Sequence, residues 1–149
     1  MIKVCIQVEA GSRDKKFYDE TTLTYQGTRQ VSQPYPYPYG FIIGTSAADG
    51  DCADCYVITH KKLKPGTIVE CEPVALLEQY EGEETDHKVL ATLPGQEVAL
   101  SEKLLKELQD FIYAIFTVYP DVNLRVGPIL PRQAALNYIQ AGHKSAHTR

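Results

Sequence analysis

Tyr35-Pro36-Tyr37-Pro38-Tyr39-Gly40-Phe41-Ile42-Ile43 runs, after residues 44–48, into Asp49-Gly50-Asp51-Cys52-Ala53-Asp54 and then Cys55-Tyr56-Val57-Ile58-Thr59. The two flanks are rich in aromatic and β-branched residues and are bounded by Gly, Pro and Asp, the pattern of short strands joined by turns. Between them, three carboxylates fall within six residues. Asp49 and Asp51 share one face of an extended segment, and Asp54 joins them only if the loop bends before the strand begins. Carboxylates this close repel one another, and a hard cation held among them relieves the repulsion. A solvated turn is the plainer reading of the same residues, since Asp and Gly are common in turns. A calcium EF-hand is excluded, because its loop needs Gly at the sixth position and Glu at the twelfth, where this chain has Asp54 and His60.

The same strand texture recurs on both sides, at 4–10, 23–25, 67–77 and 87–92. With the segments at 39–43 and 55–59, about five or six short strands separated by turn residues predict a closed or nearly closed barrel. Helical spacing enters late. Ser101 is a good N-cap, and Leu104, Leu105, Leu108, Phe111, Ile112, Ile115 and Phe116 follow at a 3.6-residue period until Pro120 stops the run. A shorter helix is expected from Pro131, carrying Ala134, Ala135, Tyr138 and Ile139. The fold class is therefore α+β, mainly β, with a long and a short C-terminal helix.

With 44% hydrophobic and 23% charged residues in 149, the chain has the proportions of one globular domain, expected over 1–142, with 143–149 a fraying polar tail. No run approaches the roughly 20 apolar residues of a membrane span, and the N-terminal stretch lacks the apolar region of a secretion signal, so a cytoplasmic protein with no membrane partner is expected. A formal charge of −4 argues against a nucleic-acid partner, because binding the phosphate backbone needs a basic excess. An OB-type nucleic-acid module with Tyr35, Tyr37 and Tyr39 as stacking platforms is the competing reading, and the aspartate cluster opposes it. Of the four cysteines, Cys52 and Cys55 form a C-x-x-C. That spacing fits a redox pair or half a zinc site, but small, half-buried side chains are the more economical account.

A second acidic run, Glu78 to Asp86, ends in Asp86-His87-Lys88. In isolation it reads as an exposed charged loop. The two-residue spacing, however, puts Asp86 and Lys88 on the same face of a strand, so that one can join a metal while the other holds an anion.

In order, Gly11-Ser12-Arg13-Asp14-Lys15, Arg29, the Tyr35–Ile42 segment, Asp49 to Asp54, Pro65-Gly66, Asp86-His87-Lys88 and Tyr119 make the chain resemble family I soluble inorganic pyrophosphatases over nearly its whole length. The resemblance implies a five-stranded OB-like β-barrel with helices packed on it, pyrophosphate as substrate, Mg2+ as cofactor, and a homo-oligomer, usually a hexamer in bacterial members. It also implies roles. Asp49, Asp54 and Asp86 would hold the tightest magnesium, with Asp54 shared with a second, and Asp51 would orient or deprotonate the attacking water. Lys15, Arg29, Tyr39, Lys88 and Tyr119 would hold the phosphates.

The implied chemistry is sound on its own terms. In-line attack of water on a polyanion requires positive charge and an activated nucleophile, which divalent cations supply, and magnesium favours carboxylates over imidazoles or thiols. Departures from the family pattern are Cys52 and Ala53 within the aspartate motif, Phe17 for a glutamate, Glu81 for a metal-binding aspartate, and Pro120 for a phosphate-binding lysine. Two residues are also missing between Arg29 and Tyr35. Arg125 is the residue expected to reach into the position left by Pro120. A catalytically impaired homologue that binds another phosphorylated ligand or a protein is the alternative function.

Overall fold

The computed structural model describes residues 1–47 and 50–142; Ala48, Asp49 and the expected polar tail at 143–149 lie outside the described residues. Its elements, in chain order, are β1 (Ile2–Val8), β2 (Asp14–Tyr18), β3 (Tyr25–Gln30), β4 (Tyr39–Ile42), β5 (Asp54–Val57), β6 (Ile68–Glu81), β7 (Glu84–Thr85), β8 (Lys88–Thr92), α1 (Glu102–Ile115), β9 (Leu124–Pro131) and α2 (Arg132–Ala141). A 3-10 turn, Phe116–Val118, extends α1.

Five strands close on themselves in the cyclic order β1-β4-β5-β8-β6, because β6 pairs with β1 as well as with β8. All these pairings are antiparallel except β5–β8, which is parallel. Closure removes exposed edges. It depends on the length of β6, whose 14 residues pair with β1 first, then β8 and β9, and finally with β7. Register shifts between Pro73 and Ala75 and between Leu77 and Gln79 bend this strand as it passes from one partner to the next.

Period-two alternation sorts the ring into two apolar clusters. Val4, Ile6, Ile42, Cys55, Val57, Val89 and Ala91 pack together with Ala135 of α2, whereas Val8, Tyr39, Tyr56, Leu77 and Leu90 meet Leu104, Leu108, Phe111 and Ile112 of α1. The second cluster matters for function, since it forms the floor on which the polar residues Asp54 and Lys88 stand beside their strand neighbours Tyr56 and Leu90. Gly40 brings β4 against β1: a Cβ there would lie 1.9 Å from the carbonyl oxygen of Cys5. No other residue allows that approach.

The expected strands and both helices are present. Ser101 caps α1, its hydroxyl accepting from the Leu104 amide at 3.2 Å, and Pro131 stands just before α2 rather than inside its first turn. Two strands differ from the sequence reading. β2 and β3 form a separate charged hairpin, with the strand expected at 23–25 lying at Tyr25–Gln30. β9 contains Gly127-Pro128, which reads as a break in sequence, but among the described residues the strand pairs only with β6 and so tolerates a residue without an amide hydrogen.

Candidate active site

The parallel β5–β8 pairing sets Asp54 directly beside Lys88, and Asp86 stands two residues before Lys88 on the approach to the same strand. The Lys88 ammonium donates to Asp54 Oδ2 at 2.9 Å, to Asp86 Oδ2 at 2.9 Å and to the Tyr39 hydroxyl at 3.1 Å. Lys88 is 5% exposed. Burial disfavours its charge, but Asp54, the polar Tyr39 and Asp86 outweigh that effect and hold its pKa well above the usual lysine value. For Asp86, too, burial opposes ionisation. The charge of Lys88, hydrogen bonds with Glu81 and Lys88, and the charge of Lys15 prevail and keep its carboxyl below the ordinary range.

Glu81, at the end of β6, shares a hydrogen bond with Asp86. Burial, that bond and the Asp86 charge push its pKa up to about 7. Gln79, 1% exposed, donates from Nε2 to Glu81 Oε2 at 3.0 Å, and its Oε1 is buried with no hydrogen-bond partner among the described residues. Across the cavity the β2–β3 hairpin supplies Lys15 and Arg29 as directly opposed residues. Both rest on Phe17, whose ring centroid lies 5.4 Å from Lys15 Nζ and 5.2 Å from Arg29 Cζ. Burial, with Lys88 and Arg29 acting in the same sense, lowers the Lys15 pKa despite the opposing pull of Asp54.

Together these groups line a cavity of about 670 Å³ that brings Lys15, Arg29, Tyr39, Asp54, Glu81, Asp86, Lys88 and Tyr119 to one place. Asp51 lies in the exposed bend before β5 and outside the cavity lining, and Asp49 lies outside the described residues. Arg125 also lies outside the lining. It is on β9, with its guanidinium 4.3 Å from the Tyr80 ring centroid, so it does not occupy the position left by Pro120. Arg13, Tyr56 and Gln79 line the cavity without having been assigned a role from sequence, and Tyr35 lines it having been read only as a stacking platform. For Gln79 a signal existed, since it stands two residues before Glu81 in a strand and shares its face.

Among the described residues, no three His, Cys, Asp or Glu side chains form a ready-made metal cage. Lys88 accounts for this by standing between Asp54 and Asp86. The donor set nevertheless fits a hard divalent cation: the groups are carboxylate oxygens, and Glu81, its pKa raised by burial and then by the hydrogen bond and charge of Asp86, stands beside a second carboxylate whose repulsion a cation would offset. The cysteines offer no competing site. All four are buried, and Cys52 packs with Cys5 and Phe41 while Cys55 belongs to the cluster beneath α2. Tyr35 and Tyr39 are 5% and 4% exposed, packed ring to ring, and the Tyr37 hydroxyl bonds Glu107, so the three do not form a platform for bases. Among the described residues, no helix is long and apolar enough to cross a membrane.

Residues 4–147 match the inorganic pyrophosphatase family. A Synechocystis protein named inorganic pyrophosphatase is 32% identical over 87% of this chain and 80% of its own length. One from Sulfolobus acidocaldarius is 33% identical over 74% of this chain, a match spanning 64% of that relative. The crystal structure of inorganic pyrophosphatase from Thermus thermophilus is 28% identical and superposes with a TM-score of 0.83, covering 94% of this chain and 87% of that one. The inorganic pyrophosphatase structure from Coxiella burnetii, 27% identical, gives 0.72 over 94% and 91%. With the five-stranded ring, the buried lysine between two aspartates and the facing cationic hairpin already in place, these likenesses identify the chain as a member of the inorganic pyrophosphatase family.

Proposed function

We propose that the chain hydrolyses inorganic pyrophosphate to two phosphates with the help of magnesium held by Asp54, Asp86 and Glu81, joined by Asp49. The observation that carries this reading is the cavity in which three carboxylates stand opposite Lys15 and Arg29, with the Lys88 ammonium bridging Asp54 and Asp86. When bound, the metal supplies Lewis acidity, lowering the pKa of water and neutralising phosphoryl oxygens. The remaining work falls to the chain. Lys15 and Arg29 bind one phosphoryl group through charge-assisted hydrogen bonds, and Phe17 fixes both side chains from below. Lys88 and the Tyr39 hydroxyl bind the other and stabilise the charge that develops as the bridging P–O bond breaks. Asp51 is assigned as acceptor of a proton from the attacking water, a role that requires its exposed bend to turn toward the cavity it does not line in this structure. Tyr119 contributes a hydroxyl at the rim. Arg125 has no part in this reading.

The impaired-homologue alternative is not favoured, because the departures at Phe17 and Glu81 leave a cation pair and a carboxylate facing the cavity. A cytoplasmic location and a homo-oligomer are further parts of the proposal that rest on the family resemblance. Sedimentation of the purified protein tests the latter. The central test is phosphate release from pyrophosphate with magnesium and with excess chelator. Turnover only with the cation is expected, and undiminished turnover in chelator overturns the mechanism.

A further inference from the structure

The cavity has two unlike walls. One is the polar wall described above. The other consists of the end of α1, the 3-10 turn and the residues beyond it, with Ile115, Phe116, Val118, Tyr119 and Val122 facing the space and Val31 beside them. Among the α1-end residues of this wall no side chain is charged and the Tyr119 hydroxyl is the one polar group, while Arg13, Gln30 and Ser32 line the cavity beside Val31. Core packing accounts for Ile115, Phe116 and Val31, which lie partly buried against the α1 cluster, but not for Val118, Tyr119 and Val122. The face of α1 that builds the core is Leu104, Leu108, Phe111 and Ile112, whereas Val118, Tyr119 and Val122 are 57%, 51% and 38% exposed. Pro120 adds no charge there, and the nearest cation along the chain, Arg125, is turned onto Tyr80.

Inorganic pyrophosphate has polar oxygens at both ends and gains nothing from such a wall. The cavity, at about 670 Å³, is in the range of pockets that hold ligands much larger than a diphosphate group. Building on the pyrophosphatase reading, we propose that the site also takes organic diphosphates, molecules whose diphosphate group meets the polar wall while a compact aromatic or apolar group lies against Ile115, Phe116, Val118 and Val122. Water attacks the terminal phosphorus, the phosphoanhydride P–O bond breaks, and the bridging oxygen leaves with the organic group as its monophosphate. The oxygen of water becomes part of the released phosphate, and its two protons pass to the products or the buffer. No oxidant or further reactant is involved.

Phenyl diphosphate and methyl diphosphate share the same charged head and differ in the apolar group, so their comparison isolates the second wall. With magnesium present, calorimetry should show phenyl diphosphate binding about tenfold tighter than methyl diphosphate, and phosphate release from it should be measurable. In Val118→Ser/Val122→Ser, whose folding is checked by its melting temperature, that preference should fall toward one. Equal affinities for the two esters in the native protein, or a preference unchanged in the double variant, overturn the inference. Turnover of pyrophosphate alone, with neither ester bound, overturns it while leaving the pyrophosphatase reading intact. Failure to hydrolyse pyrophosphate sinks that underlying reading, and the binding ratio still judges the second wall on its own.

Discussion

Replacing Lys88 by Met should destabilise the metal-free protein and, in doing so, make it more responsive to magnesium. The native ammonium is 5% exposed and contacts Asp54, Asp86 and Tyr39 within 3.1 Å. Met nearly preserves the volume of the stem, so the loss is electrostatic and little cavity is created. Breaking a buried ion pair costs about 3–5 kcal/mol because the remaining charge is left uncompensated. The Asp54 and Asp86 side chains retain 26% and 23% exposure, so water screens part of that penalty and the lower end, about 3 kcal/mol, applies. For a chain of this size, that corresponds to a fall in melting temperature of roughly 6–12 °C. A divalent cation would then offset the repulsion without competing with the ammonium, so the magnesium-induced rise should be larger in the variant than in the native protein. The pH dependence follows from the lowered Asp86 pKa: its stabilisation is present above the unfolded carboxylate value and is lost as pH falls through the folded one, a loss the variant should not show. Thermal unfolding in chelator and in magnesium, repeated from pH 7 downward, measures each quantity. A melting temperature in chelator within about 2 °C of native, or equal magnesium shifts, would refute the placing of Lys88 as the internal counter-ion.

Glu81, with its pKa raised to about 7, contributes stability that is full below the unfolded carboxylate value and is lost as pH rises through about 7. In chelator, Glu81→Gln should therefore remove a decline in melting temperature between pH 5 and 8 that the native protein shows. Gly40→Ala drives a methyl to 1.9 Å from the Cys5 carbonyl oxygen and should cost more than about 3 kcal/mol, read as insoluble expression or a large fall in denaturation midpoint. Asp51→Asn should reduce turnover with magnesium affinity largely kept, whereas Asp54→Asn should weaken the metal first; equal affinities in a titration would contradict the assigned roles. Arg125→Ala should leave the Michaelis constant for pyrophosphate unchanged and lose only the stacking on Tyr80, roughly 0.5–1 kcal/mol of stability.

What could be read from sequence follows the range of the interaction concerned. That Asp86 and Lys88 face the same way follows from the two-residue period of a strand, and the cap at Ser101 follows from local hydrogen bonding. That Lys88 also meets Asp54 does not, because it depends on a parallel pairing between strands 34 residues apart in their contacting side chains. β9 was hidden for a related reason: Gly127-Pro128 is a break by local rules and becomes acceptable only at the position it occupies beside β6. Arg125 shows the same limit for side chains. Sequence places a cation near the end of the site, but the Tyr80 face that captures it belongs to another strand.

Phe17 is the position where local and global readings differ most. Two residues after Lys15, the absence of a carboxylate looks like a lost contact. In the folded chain the ring lies within cation–π range of both Lys15 and Arg29. A carboxylate in its place would neutralise part of the charge of these two cavity-lining residues, whereas the ring positions them and leaves their charge available for the phosphate contacts proposed for them. Lys15, already biased toward losing its proton by burial and by its cationic neighbours, needs an anion more than it would with a carboxylate beside it. The carboxylates of the cavity, Asp54, Glu81 and Asp86, lie around Lys88, and Asp54 and Asp86 also act on the charge of Lys15. The hairpin thus supplies two cations to the cavity, and the start of β5, the end of β6 and the approach to β8 supply its carboxylates. On the proposed function, a polyanion and its metal each meet their own complement there, and phenylalanine at position 17 adds no carboxylate beside the two cations.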